Sequence, residues 1–265
     1  MARDVSGGRG RTAKESTGTT PSLILSGEVE SLQVLQERAR EIAARLRTVF
    51  GEANWQNPGS PMDELVRTIL SQNTNDRNRD VAFARLKAAF PDWEAVRDAP
   101  VERIAEAIRP GGLSRQKAER IKELLAEISA QRGSFDLSFL GEIPLEDAQA
   151  WLTGFKGVGP KTAAIVLLFC FGRPAFPVDT HIYRVTGRLG LRPQKMSVEG
   201  AHRYLAQLFP AEDYAMTHLN LIRLGREICQ ARVPLCSICP LNDLCDYYQT
   251  QVRGDRPVVS PDRRA

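Results

Sequence analysis

The sequence lacks any long apolar run. Its best candidate, residues 163–171, is about half the roughly 18 residues that a membrane helix needs. The N-terminus also lacks an apolar stretch of the signal-peptide type. We therefore expect a protein with no membrane partner, located in the cytoplasm, or associated with the nucleoid if the source is bacterial.

Excess charge is scarce outside the two ends of the chain. The formal net charge is +4, and residues 1–22 and 252–265 each hold four basic against two acidic residues, so the body between them is neutral. If this body binds nucleic acid, it must use locally placed charges and helix termini. Both ends are rich in charge and small polar residues, which predicts disordered tails over 1–29 and 251–265.

Strand-like alternation is nearly absent. Apolar residues recur instead at three-four spacing, as in the set Val34, Leu35, Ile42 and Leu46, and clusters of Gly and Pro separate such segments. The pattern predicts an all-α fold of about ten helices joined by short loops.

Cysteine is rare and unevenly placed. Cys170 stands alone, while the other four lie within seventeen residues. An odd number without an export signal argues against disulfides and favours a metal site plus one spare buried thiol. The Cys-x6-Cys-x2-Cys-x5-Cys spacing is compatible with structural zinc or a [4Fe–4S] cluster. The four candidate ligands are Cys229, Cys236, Cys239 and Cys245.

A glycine-rich segment, residues 154–164, predicts a tight hairpin between two helices. Gly157 and Gly159 permit the turn, and Pro160 suits the first turn of the next helix. The amides from Val158 onward would then lie at a helix N-terminus, where a phosphate binds well. A plain helix–helix connector is the alternative.

Lys161 stands where the helix dipole is positive, an unfavourable place for a cation. It is either a phosphate contact or a nucleophile, because the dipole and burial favour the neutral amine that forms a Schiff base. Asp179 precedes the next apolar helix and fits an ordinary N-cap. It can also face Lys161 if the chain returns to the start of the lysine's helix.

These residues resemble a known pattern. Gly-Val-Gly-x-Lys-Thr-Ala followed by Val-Asp-Thr-His-Ile-x-Arg is similar to the helix–hairpin–helix, Gly-Pro-Asp segment of the endonuclease III family of DNA glycosylases. The resemblance implies that Lys161 is the nucleophile and Asp179 its activating carboxylate. Related adenine-excising enzymes lack the lysine, so the resemblance favours the bifunctional branch. It further implies DNA contacts from Gly157, Val158, Gly159 and His181.

The resemblance extends over about residues 33–248 and includes the cysteines, which in the family hold a [4Fe–4S] cluster. The loop beside them would contribute Arg232 to DNA binding. Asn73, with Gln72 beside it, takes the position of the glutamine that in the family fills the space left by a flipped base. The alternative is that these residues are only the polar, capped start of a helix. Leu113 takes the position of an apolar wedge, or else is a helix staple.

The resemblance implies a six-helix barrel domain over 53–173, carrying the hairpin and inserted into a cluster domain made of 30–52 and 174–250. It implies a monomeric glycosylase and AP lyase that acts on double-stranded DNA containing damaged bases, expected to be oxidised pyrimidines, or abasic sites. The alternatives are an adenine or mismatch glycosylase and a non-catalytic DNA-binding redox sensor. Lys161 with Asp179 favours the enzyme.

Overall fold

The computed structural model describes residues 22–52 and 59–253, with side chains from Leu32 onward. These residues form α-helices, short 3₁₀ turns and one π-helical turn, with no β-strand among them, which confirms the all-α prediction. Their first helix already begins at Ser22, inside the segment predicted to be a tail. The remaining residues of both predicted tails, apart from 251–253, lie outside the described residues.

The α-helices are α1 (Ser22–Phe50), α2 (Pro61–Ser71), α3 (Asp76–Ala89), α4 (Trp93–Asp98), α5 (Val101–Ala107), α6 (Ser114–Arg132), α7 (Leu145–Thr153), α8 (Pro160–Phe171), α9 (Thr180–Arg188), α10 (Val198–Ala206) and α11 (Tyr214–Glu227).

Local sequence signals start and end these helices. Ser60 caps α2 by accepting a hydrogen bond from a first-turn amide, and Pro61 occupies the first helical position. Gly133 and Gly172 end α6 and α8 in the left-handed conformation, with φ of 71° and 63°. Among the described residues, no helix has both the length and the apolar character needed to cross a bilayer.

Buried apolar side chains form two hydrophobic clusters. The first draws on α2 to α8, and the second joins α1 to the chain from α8 onward. Helix α8 contributes to both, since Ala163 and Leu167 belong to the first cluster, and Leu168 and Phe169 to the second. This division supports our proposal of a barrel domain over 53–173 inserted into a second domain made of 30–52 and 174–250.

Candidate active site

A cavity of about 310 Å³ opens between helices of the two clusters. Lys161 lines it from the first turn of α8, and Asp179 lines it from the residue before α9. The fold therefore brings together the two residues that the sequence singled out for chemistry. The opposite walls differ in polarity. Helices α8 and α11 contribute Ile165, Phe169, Leu219 and Ile222, while α2 contributes Glu64, Arg67, Thr68 and Ser71.

Asp179 is both the N-cap of α9 and a lining residue of the Lys161 cavity, the two roles that the sequence predicted for it. Its Oδ1 accepts a hydrogen bond from the Ile182 amide at 2.7 Å, so it is the N-cap of α9. The same half-buried carboxyl group lines the cavity beside Lys161. Capping fixes the side chain, because a restrained carboxylate oxygen holds the other one in place.

Two buried histidines hold the segment that leads to Asp179. His218 of α11 donates its Nδ1–H to the carbonyl of Pro177 at 3.0 Å, and Nδ1 of His202 in α10 lies 3.0 Å from the carbonyl of Phe176. Burial lowers the pKa of His202. Burial also lowers the pKa of His218 to about 4, although the Asp179 carboxylate acts in the opposite direction. Sequence reasoning missed both histidines, because no motif marks them.

The depressed pKa of His218 predicts that the protein loses stability in mild acid. The unfolded chain protonates this residue near its ordinary value of 6.5, and the folded chain only near about 4. Stability is therefore lost as the pH falls from 6.5 towards 4. Urea titrations at pH 7 and pH 4.5 should show a smaller drop in unfolding free energy for His218→Gln than for wild type. An equal drop would contradict this account.

The cavity is also lined by an ion pair that joins α3 and α11. Arg226 of α11 donates to Asp76 of α3 at 2.6 Å. Burial acts to raise the pKa of Asp76, but the hydrogen bond from Arg226 and the charge of Arg79 leave it below its ordinary value. Asp76 is therefore an anion at neutral pH, and its ion pair with Arg226 forms part of the cavity lining.

The α2 wall carries a separate pair of charged groups. Burial raises the pKa of Glu64, against the opposing charge of Arg67, whose Nε lies 4.0 Å from the carboxylate. This buried Nε has no hydrogen-bond partner among the described residues. A donor left in this state costs about 1–3 kcal/mol unless something binds it. No sequence motif marks this wall, and only the helix orientation reveals it.

The predicted hairpin between α7 and α8 is present. Gly157 has φ of 85°, which an L side chain rarely adopts. One expectation needs correction: the Val158 side chain is buried and its amide donates to the carbonyl of Phe155 at 3.0 Å, so this amide is engaged within the turn. The N–H groups of Gly159 and Lys161, which begin α8, have no partner within the helix.

Asn73 and Leu113 are the two non-glycine residues with positive φ in the described part of the chain, at 53° and 47°. Both are exposed, Leu113 by 54%. Gln72 differs, because its Nε2 donates to the carbonyl of Gly157 at 3.1 Å and its Oε1 accepts from Arg120 at 2.7 Å. Of the two neighbouring amides, only Asn73 is free to project outward.

Comparison with known proteins agrees with this geometry. A family model described as "HhH-GPD superfamily base excision DNA repair protein" matches residues 66–211. Endonuclease III of Escherichia coli is 37% identical over 208 residues, which are 78% of this chain and 94% of that protein. Endonuclease III of Thermotoga maritima is 32% identical over 222 residues, covering 84% and 97%. This chain belongs to the endonuclease III family.

Solved structures of endonuclease III agree with the assignment. A trapped endonuclease III–DNA covalent intermediate superposes with a TM-score of 0.70 at 30% identity, covering 81% of this chain and 97% of that one. A non-covalent endonuclease III–DNA complex gives the same TM-score of 0.70 over 82% of this chain and 98% of that one. As a member of the endonuclease III family, the chain is a DNA glycosylase of the base excision repair type.

The four C-terminal cysteines line one small cavity of about 20 Å³. Within the described residues, no group of three or more His, Cys, Asp or Glu side chains is arranged to hold a metal ion. Arg188 donates to Sγ of Cys229 at 3.3 Å. Burial raises the pKa of the Cys239 thiol to about 11.

The remaining predicted residues lie apart from the Lys161 cavity. Cys170 is half-buried against the first cluster, less enclosed than predicted, and burial raises the pKa of its thiol to about 12. His181 lies in the first turn of α9 with Nδ1 3.2 Å from the guanidinium of Arg184. Arg232 is exposed on the loop between the first two cysteines of the cluster.

Proposed function

We propose that this chain is a bifunctional DNA glycosylase and AP lyase, a cytoplasmic monomer that removes oxidised pyrimidines from double-stranded DNA and also processes abasic sites. One observation carries the proposal: Lys161, at the start of α8, and Asp179, at the start of α9, line the same cavity. Pure DNA binding requires no such pair. The lysine is available as a nucleophile and the carboxylate as its acid–base partner.

The reaction follows from these groups. The Lys161 amine attacks C1′ of the damaged nucleotide, and the N-glycosidic bond breaks with its electron pair leaving on the base, which takes up a proton. The amine loses its proton and the sugar ring opens, giving an imine between Nζ and C1′. Asp179 accepts and returns the protons of these steps. Loss of the C2′ proton then expels the 3′ phosphate oxygen, and water hydrolyses the imine to release the enzyme.

Double-stranded DNA is the partner that this geometry fits. The base must leave the stack before a side chain can reach C1′. The first-turn amides at Gly159 and Lys161 offer a phosphate site at the hairpin. Asn73 and Leu113 project from exposed turns and can enter the space that the flipped base leaves in the duplex. We also propose that His181 and Arg232 contact DNA. Gln72 would act indirectly, through its hydrogen bond to the Gly157 carbonyl of the hairpin.

The polar α2 wall supports an oxidised pyrimidine as the substrate. Such a base keeps a carbonyl next to a ring N–H after its ring is saturated. The guanidinium of Arg67, which lines this wall, can donate to the carbonyl, and Glu64 can accept from the N–H. The apolar side chains of α8 and α11 would pack against one face of the non-planar ring.

A panel of duplexes with one lesion each tests the proposed function. We expect strand cleavage at oxidised pyrimidines without alkali treatment, together with release of the free base. Base release that gives a nick only after alkali would instead support an adenine or mismatch glycosylase without lyase activity. Binding to every duplex with no base released would support the non-catalytic alternative.

We also propose that the four cysteines hold a [4Fe–4S] cluster. Four thiolates around one cavity are the donor set that such clusters use, and Arg188 supplies a positive charge beside them. When bound, the cluster would join the chain segments that carry the cysteines and brace the loop that contains Arg232.

Cysteine substitutions test this cluster. Cys236→Ser should give little soluble protein and a loss of most iron, because a ligand is removed from a closed site. Cys170→Ser is the matched control and should keep about four irons per chain. Iron analysis and absorbance of anaerobically purified protein provide the measurement. Zinc in place of iron in the wild-type protein would refute the assignment.

A further inference from the structure

Lys117 is a lysine in the hydrophobic core, only 2% exposed. Its ammonium donates to the carbonyls of Leu70 and Gly111, both at 2.8 Å. Leu70 lies three residues before Asn73, and Gly111 lies two residues before Leu113. One buried cation therefore joins the backbone segments that lead into the two exposed left-handed turns, at Asn73 and at Leu113.

Arg120, one turn further along α6, makes a related connection. Its Nη1 donates to Oε1 of Gln72 at 2.7 Å, and Gln72 in turn donates to the carbonyl of Gly157 at 3.1 Å. The Arg120 side chain also packs on Gly157, where an added Cβ would overlap its Cδ atom. Through Arg120 the hairpin before α8 is joined to the same face of α6 as Lys117.

The two turns need such support. Left-handed backbone is unfavourable for Asn and more so for Leu, and it persists only where the surroundings fix it. The side chains of both residues are exposed and so contribute little to holding their own backbone. The carbonyl contacts of Lys117 are hydrogen bonds to a charged donor, the stronger kind.

We propose that Lys117, assisted by Arg120, is a positioning residue for base extrusion. It holds the turns of Asn73 and Leu113 in place before DNA binds. Both side chains can then enter the space that the extruded base leaves in the duplex, without further ordering of the chain. This inference rests on the proposed glycosylase function. The contribution of Lys117 to the rate should scale with the free-energy cost of extruding the damaged base. That cost is largest for a fully paired lesion and small for a mismatched one.

The same helix offers a matched control. Lys122 also donates to two backbone carbonyls, those of Arg97 and Ala99, at 2.6 and 2.7 Å, but these belong to α4 and its C-terminal end. Lys122→Met and Lys117→Met therefore each leave two carbonyls without their donor. Only Lys117→Met releases the two turns.

Single-turnover rates on a paired lesion and on the same lesion opposite a mismatch provide the test. For Lys117→Met we expect a loss on the order of 30-fold on the paired duplex and of only about threefold on the mismatched one. Lys122→Met should lower the melting temperature but keep the wild-type ratio of the two rates. An unchanged ratio in Lys117→Met, or an equal change in Lys122→Met, would overturn the proposal.

Arg120→Lys keeps the test decisive if Lys117→Met does not fold. It keeps the charge but loses the planar contact with Gln72 and Gly157, and we expect the same change of ratio to a smaller degree. A 2-aminopurine opposite the lesion reports extrusion independently of cleavage, and its fluorescence rise should be reduced in Lys117→Met and Arg120→Lys but not in Lys122→Met. If the wild type nicks no lesion duplex, the proposed function fails, and the fluorescence measurement still decides on Lys117.

Discussion

Lys161→Gln should abolish the covalent adduct that the wild-type protein forms with lesion DNA. Borohydride added during the reaction reduces an imine to a stable amine, which appears as a shifted band on a denaturing gel. Glutamine cannot form the imine, so the band should disappear and nicking should fall on the order of 10³-fold or more. DNA binding should persist, because the first-turn amides of α8 are backbone groups.

Lys156→Gln is the control for this experiment. Lys156 lies on the same hairpin, 73% exposed, and pairs with Glu123 at 3.1 Å. It carries the same charge near the same DNA, so loss of charge alone would affect both variants. We expect Lys156→Gln to keep the adduct. An undiminished band from Lys161→Gln would show that a different amine performs the chemistry.

Asp179→Asn should reduce the single-turnover rate on the order of 10²- to 10⁴-fold, as for loss of a positioned acid–base group. Asparagine caps a helix as well as aspartate does, so the bond to the Ile182 amide can be kept. The melting temperature and the affinity for lesion DNA should therefore change little. This separation of rate from stability distinguishes chemistry from capping.

Asp92→Asn provides the matched comparison. Asp92 caps α4 through a bond of 2.7 Å from the Ala95 amide, the same geometry as at Asp179 but on a helix that does not line the cavity. We expect Asp92→Asn to be as active as wild type. If Asp179→Asn were equally active, its carboxylate would serve the helix only, and the proposed proton transfer would need another group.

The neutral body of the chain now has a physical explanation. Its acidic and basic residues pair across the surface, as Arg226 does with Asp76 beside the cavity. Such a surface gives DNA no general attraction, so the proposed contacts are local: helix amides at the hairpin and side chains on two strained turns. We therefore attribute recognition to preorganised geometry, which is the property that Lys117 and Arg120 would supply.

The sequence by itself determined the helical fold and predicted the pair Lys161 and Asp179 as the groups for chemistry. Helix periodicity, the Ser60 cap and the glycine ends are local signals, and they depend on residues only a few positions apart. Lys161 and Asp179 were identifiable for the same reason, because a hairpin motif and an N-cap lie within one short stretch of chain. The cysteine spacing likewise predicts a metal site without any tertiary information.

Only the tertiary structure decided which side chains surround that pair. Gln72 meets the Gly157 carbonyl from 85 positions away, and this contact rather than its motif leaves Asn73 to project outward. Lys117 and His218 have no local signature, since an isolated lysine or histidine on a helix is usually exposed. Their partners are backbone carbonyls of other segments, and periodicity cannot show which carbonyls a fold brings within 3 Å of a buried donor.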